Sequence, residues 1–310
     1  MSDLRIISLI ASATEIVCAL GLEDNLVGRS HECDYPESVK KLPVCTGPKF
    51  KTDGSSYEID QRVKEIVQES LSVYRVDASL LERLQPSHIL TQSQCEVCAV
   101  SLKDVESAVC ELTTSNPMVV SLQPDSLSDV WADIRKVGSA VGVPDHAERL
   151  LSEIRVKMRE ISDTSRRLSD RPRVACIEWI EPLMATGNWM PELIEMAGGV
   201  NLFGLPGKHS PWMEWTDLLA QDPDVIVVTP CGFDIPRTRQ ELELLTSREG
   251  WQGLKAVQTE RVFVADGNQF FNRPGPRLLE TLQILAELFH PSVFRFGHES
   301  RGWIRVTEVR

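Results

Sequence analysis

The sequence predicts an α/β fold of two lobes, each built on a mostly parallel sheet, joined by one long helix. Three observations carry this. Strand-like runs rich in β-branched residues alternate with helix-like runs along most of the chain, which is the pattern of parallel sheets covered by helices. The stretch from Pro144 to Ser169 has no glycine and no proline after its first residue, and Leu150, Leu151, Ile154, Met158 and Ile161 form one apolar stripe along it. The length of 310 residues exceeds the roughly 250 to 300 at which a single core stops growing. The expected division is 1–143 for the first lobe, 144–170 for the linker helix and 171–310 for the second lobe.

The first lobe opens on Arg5 to Ile10, a buried strand by composition. Ser12 with Glu15 then reads as a capping box before Ile16, Val17 and Leu20, and Gly21 stops that helix. Val27 to Arg29 is a short strand, another lies near Val44, and Thr46 to Ser56 reads as a long loop. Asp60 to Ser70 is helical by pattern, Val73 to Val76 and His88 to Thr91 are strands, and Ser101 starts a further helix. Met118 to Ser121 and the helix Asp125 to Val141 complete the lobe.

Pro144 suits the first position of the linker helix, and Asp145 and Glu148 suit its first turn. In the second lobe Val174 to Trp179 is a strand, Pro191 begins a helix that Gly198 and Gly199 end, and Asp224 to Thr229 is the most strand-like run in the chain. Arg261 to Ala265 is the next strand. A helix through Leu278, Leu282, Leu285 and Leu288 follows it to about Phe289. No internal repeat is evident.

Composition narrows the partners. With 33 basic against 45 acidic side chains the net charge is −12, which disfavours nucleic acid and anionic membrane surfaces and favours a small-molecule ligand. No run approaches the roughly 18 apolar residues of a membrane span, so no membrane insertion is expected. A secretory leader needs a basic start that the N-terminus lacks, with Asp3 beside Arg5. Eight cysteines then read as free thiols in a reducing compartment, and a cytoplasmic protein is expected.

In open α/β sheets ligands bind beyond the carboxyl ends of strands, so the loops that follow strands are the candidate site. In the first lobe these hold His31, Glu32, Cys33, Asp34, Tyr35, Cys45, Cys95, Glu96 and Cys98. In the second they hold Glu178, Trp179, Trp189, Cys231, Phe233 and the run Gln269, Phe270, Phe271, Asn272 and Arg273, with His209 and Trp212 in a loop between. Should the lobes face each other, these loops line one cleft. The tryptophans suit stacking on a large flat ligand, with packing between loops as the alternative. Cys95 and Cys98, joined by Cys33 and His31, form a candidate zinc set; a redox pair and simple buried thiols are the other readings. The nucleophile-elbow, Walker, dinucleotide and zinc-protease signatures are absent from the sequence.

The order of pieces resembles the cobalamin- and siderophore-type substrate-binding proteins of ABC importers, a class III periplasmic-binding-protein-like group also described as helical backbone metal receptors. The likeness rests on RIISLIASATEIVCALGLEDNLVGRSHECDYP, LLERLQPSHILTQ, GNWMPELIEMAGGVNLF, PWMEWTDLLAQDPDVIVV and FFNRPGPRLLETLQIL, in that order. It implies two Rossmann-like lobes bridged by one helix, and a non-catalytic protein that binds cobalamin or a related corrinoid or metal-chelate ligand in the cleft. It places the tyrosine-bearing loop at His31 to Tyr35, a strand-following aromatic at Trp179, and an aromatic-arginine segment at Phe270, Phe271, Asn272 and Arg273, where Asn272 replaces a carboxylate. Family members dock on their permease through one glutamate per lobe. The corresponding places, ahead of Pro86 and Pro223, hold Ser79 and Thr216, which argues against permease docking. The expected function is therefore a corrinoid binder that needs no cofactor. A Cys/His zinc-binding protein and a thiol-dependent enzyme on the same scaffold are the alternatives.

Overall fold

A computed structural model describes residues 4–68, 74–93, 105–107, 109 and 115–306. The chain forms two units. The first comprises Met1–Gly54, Glu58–Pro124 and Ser128–Glu153, and the second comprises Ser55–Tyr57, Asp125–Leu127 and Ile154–Arg310.

In chain order the first elements are β1 (Ile6–Ser8), α1 (Ala11–Ala19), β2 (Leu26–Arg29), β3 (Thr46–Pro48), α2 (Ser56–Gln68), β4 (Tyr74–Val76), α3 (Ala78–Leu84), β5 (His88–Gln92), β6 (Met118–Leu122) and α4 (Leu127–Ala140). A four-stranded sheet runs β2-β1-β5-β6, parallel throughout. Ile7, Leu9, Ile89 and Leu81 pack as its core, each fully buried. Burying such a side chain contributes about 1.5–3 kcal/mol, so these apolar strands hold the loops at their carboxyl ends.

Two local readings differ from the structure. Ser12 does not cap α1: the helix begins at Ala11 directly after an extended Ile10, and both Ser12 and Glu15 lie inside it and buried. The apolar pair Leu9 and Ile10 leaves no polar turn between strand and helix. Thr46 to Pro48, part of the expected loop, is a strand, because it finds an antiparallel partner in Tyr74–Val76. The helix expected from Ser101 lies largely outside the described residues.

The linker helix α5 spans Pro144–Ser165, with Pro144–Glu153 grouped in the first unit and the remainder in the second. The division thus falls within the helix, where the sequence places it at the helix ends. Leu151, Ile154, Met158 and Ile161 are buried along its stripe. The helix stops short of Ser169, and at its last residue Ser165 Oγ donates to Met196 O at 2.7 Å, with Ser162 O as the alternative acceptor at 3.0 Å.

The second unit continues with β7 (Arg173–Trp179), β8 (Met184–Ala185), α6 (Met190–Met196), β9 (Val200–Asn201), α7 (Trp215–Gln221), β10 (Val225–Val228), α8 (Ile235–Glu241), α9 (Glu243–Thr246), α10 (Lys255–Gln258), β11 (Val262–Ala265), α11 (Leu278–Phe289) and β12 (Trp303–Arg305). Its sheet runs β12-β11-β10-β7-β8, with β9 also on β7. Strands β9, β7, β10 and β11 are parallel, and the flanking β8 and β12 are antiparallel. The buried Glu287 of α11 ties down the segment leading to β12. Its Oε1 accepts from Phe296 N and, at 2.6 Å, from Gly297 N; its Oε2 accepts from His298 N at 3.3 Å and Trp303 Nε1 at 2.9 Å. Among the described residues no helix is long and apolar enough to cross a membrane.

Candidate functional site

The first unit offers the loop after β2. Thr46, brought in by β3, is its organising residue. Thr46 Oγ1 accepts from the backbone N–H of His31 at 3.2 Å, lies 2.9 Å from His31 Nδ1, and donates to Ser30 Oγ at 3.1 Å. Tyr74 from β4 packs its ring 5.1 Å from the imidazole and donates from its hydroxyl to Glu32 Oε1 at 3.2 Å. Burial, with Arg29 adding to it, lowers the His31 pKa below the usual histidine range, so the ring is neutral.

Asp34 is half-buried and Tyr35 is 37% exposed, both on the loop's accessible side. Cys33 is placed differently from expectation. It is 1% exposed and its Sγ accepts from Thr14 Oγ1 at 3.0 Å, so it packs the loop on α1 and does not present itself to a ligand. Cys95 and Cys98 lie outside the described residues. Among the described residues no three His, Cys, Asp or Glu side chains gather as a metal site, and of the two described members of the expected zinc set His31 is partly exposed and Cys33 is buried.

In the second unit the ends of β7 and β10 bring Trp179 and Phe233 together, ring centroids 5.2 Å apart and tilted by 52°. Arg237 from α8 lies over the other partner, its guanidinium 4.2 Å from the Phe233 ring, and also pairs with Glu241. Trp212, 58% exposed, and the exposed His209 sit on a loop that Glu178 positions. Ser210 Oγ donates to Glu178 Oε2 at 2.8 Å and accepts from Gly187 N at 3.1 Å. A Cβ at Gly187 would lie 2.5 Å from Lys208 O, so only glycine allows this approach.

The run after β11 turns inward. Asp266 accepts from Gln269 N at 2.7 Å and Gln269 Nε2 at 3.1 Å, winding residues Gly267–Phe271 into a single π-helical turn. Burial pushes the Asp266 carboxyl up, against the hydrogen bond from Gln269. Phe270 and Phe271 enter the core, and Trp189, 6% exposed, donates from Nε1 to Phe271 O at 3.2 Å. Asn272 donates to Thr229 O and Gly267 O at 3.2 and 3.0 Å. The buried Arg273 donates to Asn268 Oδ1 at 2.9 Å. Trp189, Phe270, Phe271 and Arg273, expected at the ligand, therefore brace the loops from behind.

The accessible candidates are His31, Asp34 and Tyr35 in the first unit and Trp179, His209, Trp212, Gln269 and Asn272 in the second; Phe233 backs Trp179. Sequence reasoning missed Thr46, Tyr74 and Arg237. The first two reach His31 only through the pairing of β3 with β4, which carries no local signal.

Comparison with known proteins extends this picture. A family described as periplasmic binding protein matches residues 6–268. A Bacillus subtilis ABC transporter substrate-binding lipoprotein, YvrC, is 26% identical over 296 residues, covering 94% of this chain and 81% of that relative. A vitamin B12-binding protein of Vibrio cholerae is 22% identical, covering 90% and 86%. Among solved structures, the apo haem-binding protein RhuT of Roseiflexus superposes with a TM-score of 0.69 at 21% identity, covering 94% of this chain and 99% of that one. The Vibrio cholerae vitamin B12-binding protein BtuF superposes with 0.65 at 19% identity, covering 94% and 98%.

These likenesses overturn the expected cytoplasmic setting, since the relatives are periplasmic proteins or lipoproteins and point to an extracytoplasmic one. The thiols do not oppose this. Burial lifts Cys45 and Cys176 to about 12, which leaves them protonated and inert wherever the protein resides.

Proposed function

The chain belongs to the periplasmic binding protein family, and from that membership we propose that it is the substrate-binding component of an ABC importer whose ligand is a metal-centred tetrapyrrole of the corrinoid or haem type. The observation that carries the ligand class is the aromatic face of the second unit. Trp179 backed by Phe233, with the exposed Trp212 on the neighbouring loop, offers π-surface suited to a broad flat ligand. The relatives' ligands support the same class, one named for vitamin B12 and one for haem. Among the described residues, burial pushes the thiols of Cys18, Cys45 and Cys176 up to about 12, which makes these three poor nucleophiles at neutral pH.

Delivery to a permease is part of the proposal. Ser79 and Thr216 occupy the expected docking places, and an exposed carboxylate stands beside each, Asp77 at the N-cap of α3 and Asp217 in the first turn of α7. Ser79 Oγ donates to Asp77 Oδ1 at 2.7 Å, which lowers the Asp77 pKa and keeps it ionised.

The test is a titration of the purified protein with hemin, aquocobalamin and cyanocobalamin, followed by tryptophan fluorescence and melting temperature. A true ligand at about 100 times its Kd adds about 2.7 kcal/mol of stability. Unchanged fluorescence and melting with all three refute the ligand class.

A further inference from the structure

We propose that Arg237 is a positioning residue for the aromatic face, and that through it ligand binding is linked to the seating of the segment Ser55–Tyr57; this rests on the ligand class proposed above. One guanidinium serves two partners. It lies 4.2 Å from the centroid of the Phe233 ring, and Phe233 in turn lies 5.2 Å from the ring of Trp179. The same group pairs with Glu241, one helical turn further along α8.

Glu241 in turn holds a piece of backbone. Its side chain is 6% exposed, and the Ser56 N–H donates between the two carboxylate oxygens, 2.8 Å from Oε1 and 2.9 Å from Oε2. Ser55–Tyr57 belongs to the second unit, so this contact is made within that unit. A single backbone donor does not offset the desolvation of a buried carboxylate, and Arg237 supplies the compensating charge. Contacts therefore run without a break from Trp179 through Phe233, Arg237 and Glu241 to the Ser56 amide.

The backbone beneath this chain of contacts is fixed. Asp234 caps α8 by accepting from Arg237 N at 2.8 Å, Thr238 Oγ1 donates to Asp234 O at 2.8 Å, and Phe233 O accepts from Asn268 N at 3.0 Å. What can vary is where the guanidinium sits. A flat ligand stacked on Trp179 restricts the Trp179–Phe233 pair and favours the guanidinium position over Phe233, which is the position from which Arg237 reaches Glu241. Linkage makes the effect reciprocal: the factor by which ligand favours the seated Ser56 is the factor by which seating raises ligand affinity. Tyr57, 51% exposed, then lies on a surface segment whose order depends on loading.

The experiment compares wild type with Arg237→Gln, Arg237→Lys, Glu241→Gln and Arg305→Gln, each checked for an unchanged far-UV spectrum. Arg305 is the control, since its guanidinium lies 5.3 Å from the Phe263 ring near the start of β11, away from the strand ends that carry the site. Hydrogen exchange of the Ser56 amide is read against that of Lys255, whose N–H is held by Asp222 at 2.8 Å. Without ligand, Ser56 exchanges about fivefold or more faster in Arg237→Gln and Glu241→Gln than in wild type, and is unchanged in Arg305→Gln. Equal Ser56 exchange in wild type and Arg237→Gln overturns the inference whatever the titrations show. Each protein is then titrated with hemin, aquocobalamin and cyanocobalamin. For the probe that wild type binds, saturation slows Ser56 exchange about fivefold relative to Lys255 in wild type and not in Arg237→Gln, and affinity falls about fivefold in both Arg237→Gln and Glu241→Gln. Arg237→Lys keeps a charge for Glu241 but loses the planar cover of the ring, and falls in between. Unaltered affinity in Glu241→Gln, or Ser56 exchange in wild type that ligand does not change, overturns the inference and leaves the ligand class standing. Failure of every probe to bind overturns both.

Discussion

Trp189 and Trp179 are both loop tryptophans, and the structure gives them opposite roles that substitution separates. Trp189 is nearly buried at the start of α6 and donates from Nε1 to the carbonyl of the core residue Phe271. Replacing such an aromatic with alanine costs about 3–5 kcal/mol. At about 2–4 °C per kcal/mol for a unit of this size, Trp189→Ala lowers Tm by roughly 6–20 °C. Trp189→Phe keeps most of the ring and gives up the hydrogen bond, which costs about 0.5–1.5 kcal/mol. Trp179 is half-buried at the end of β7 and packs on Phe233. Trp179→Ala is expected to cost about 1 kcal/mol, the worth of an aromatic pair, and to weaken hemin or cobalamin binding. The assays are thermal and urea unfolding of the ligand-free protein, followed by titration. A Trp189→Ala shift no larger than that of Trp179→Ala refutes the assignment, as does a Trp179→Ala protein with unaltered affinity for a probe that wild type binds.

Three further outcomes are expected. Glu287→Gln turns one carboxylate oxygen into an amide facing two N–H donors, so it destabilises by about 2–4 kcal/mol and speeds proteolysis after His290; a urea-measured loss under about 1 kcal/mol refutes the latch. Peptide mapping after alkylation of the folded protein at about pH 8 finds Cys231 modified before Cys45 and Cys176, whose thiolate fractions at pKa about 12 are about 10⁻⁴; equal rates refute this. Burial holds His290 and His298 below the usual histidine range, so the unfolded chain takes up protons more readily and stability falls as pH drops below about 6.5. Replacing His290 with Gln reduces that fall, and equal slopes in variant and wild type between roughly pH 5 and 7 contradict the attribution.

The parallel sheets are legible in the sequence because β1, β5, β7, β10 and β11 are short runs dominated by apolar residues, with buried residues along their length, and such runs need no knowledge of their neighbours. The linker helix is legible for the same reason at a different period. Strands β3, β8, β9 and β12 are not. They are two or three residues long, too short to show a period, and each is defined by a partner strand that takes up its backbone groups. The Ser12 and Glu15 pattern misleads because its chemistry suits a capping box, yet the chain has no turn before the helix for it to cap.

Site residues follow a harder rule, since facing a ligand or facing the core depends on how a turn bends after its strand. Trp179 ends one strand of the second unit and Phe271 follows another, but the Asp266 carboxylate draws Gln269 N–H back and rotates Phe270 and Phe271 inward, whereas β7 ends without such a turn. Cysteine number fails similarly: compartment is read from thiols that oxidant can reach, and Cys33, Cys45 and Cys176 are buried. His31 is legible by type and place, as an imidazole after a strand. Its anchoring is not, because Thr46 reaches the imidazole through the pairing of β3 with β4. A search for histidines alone would not single out that residue.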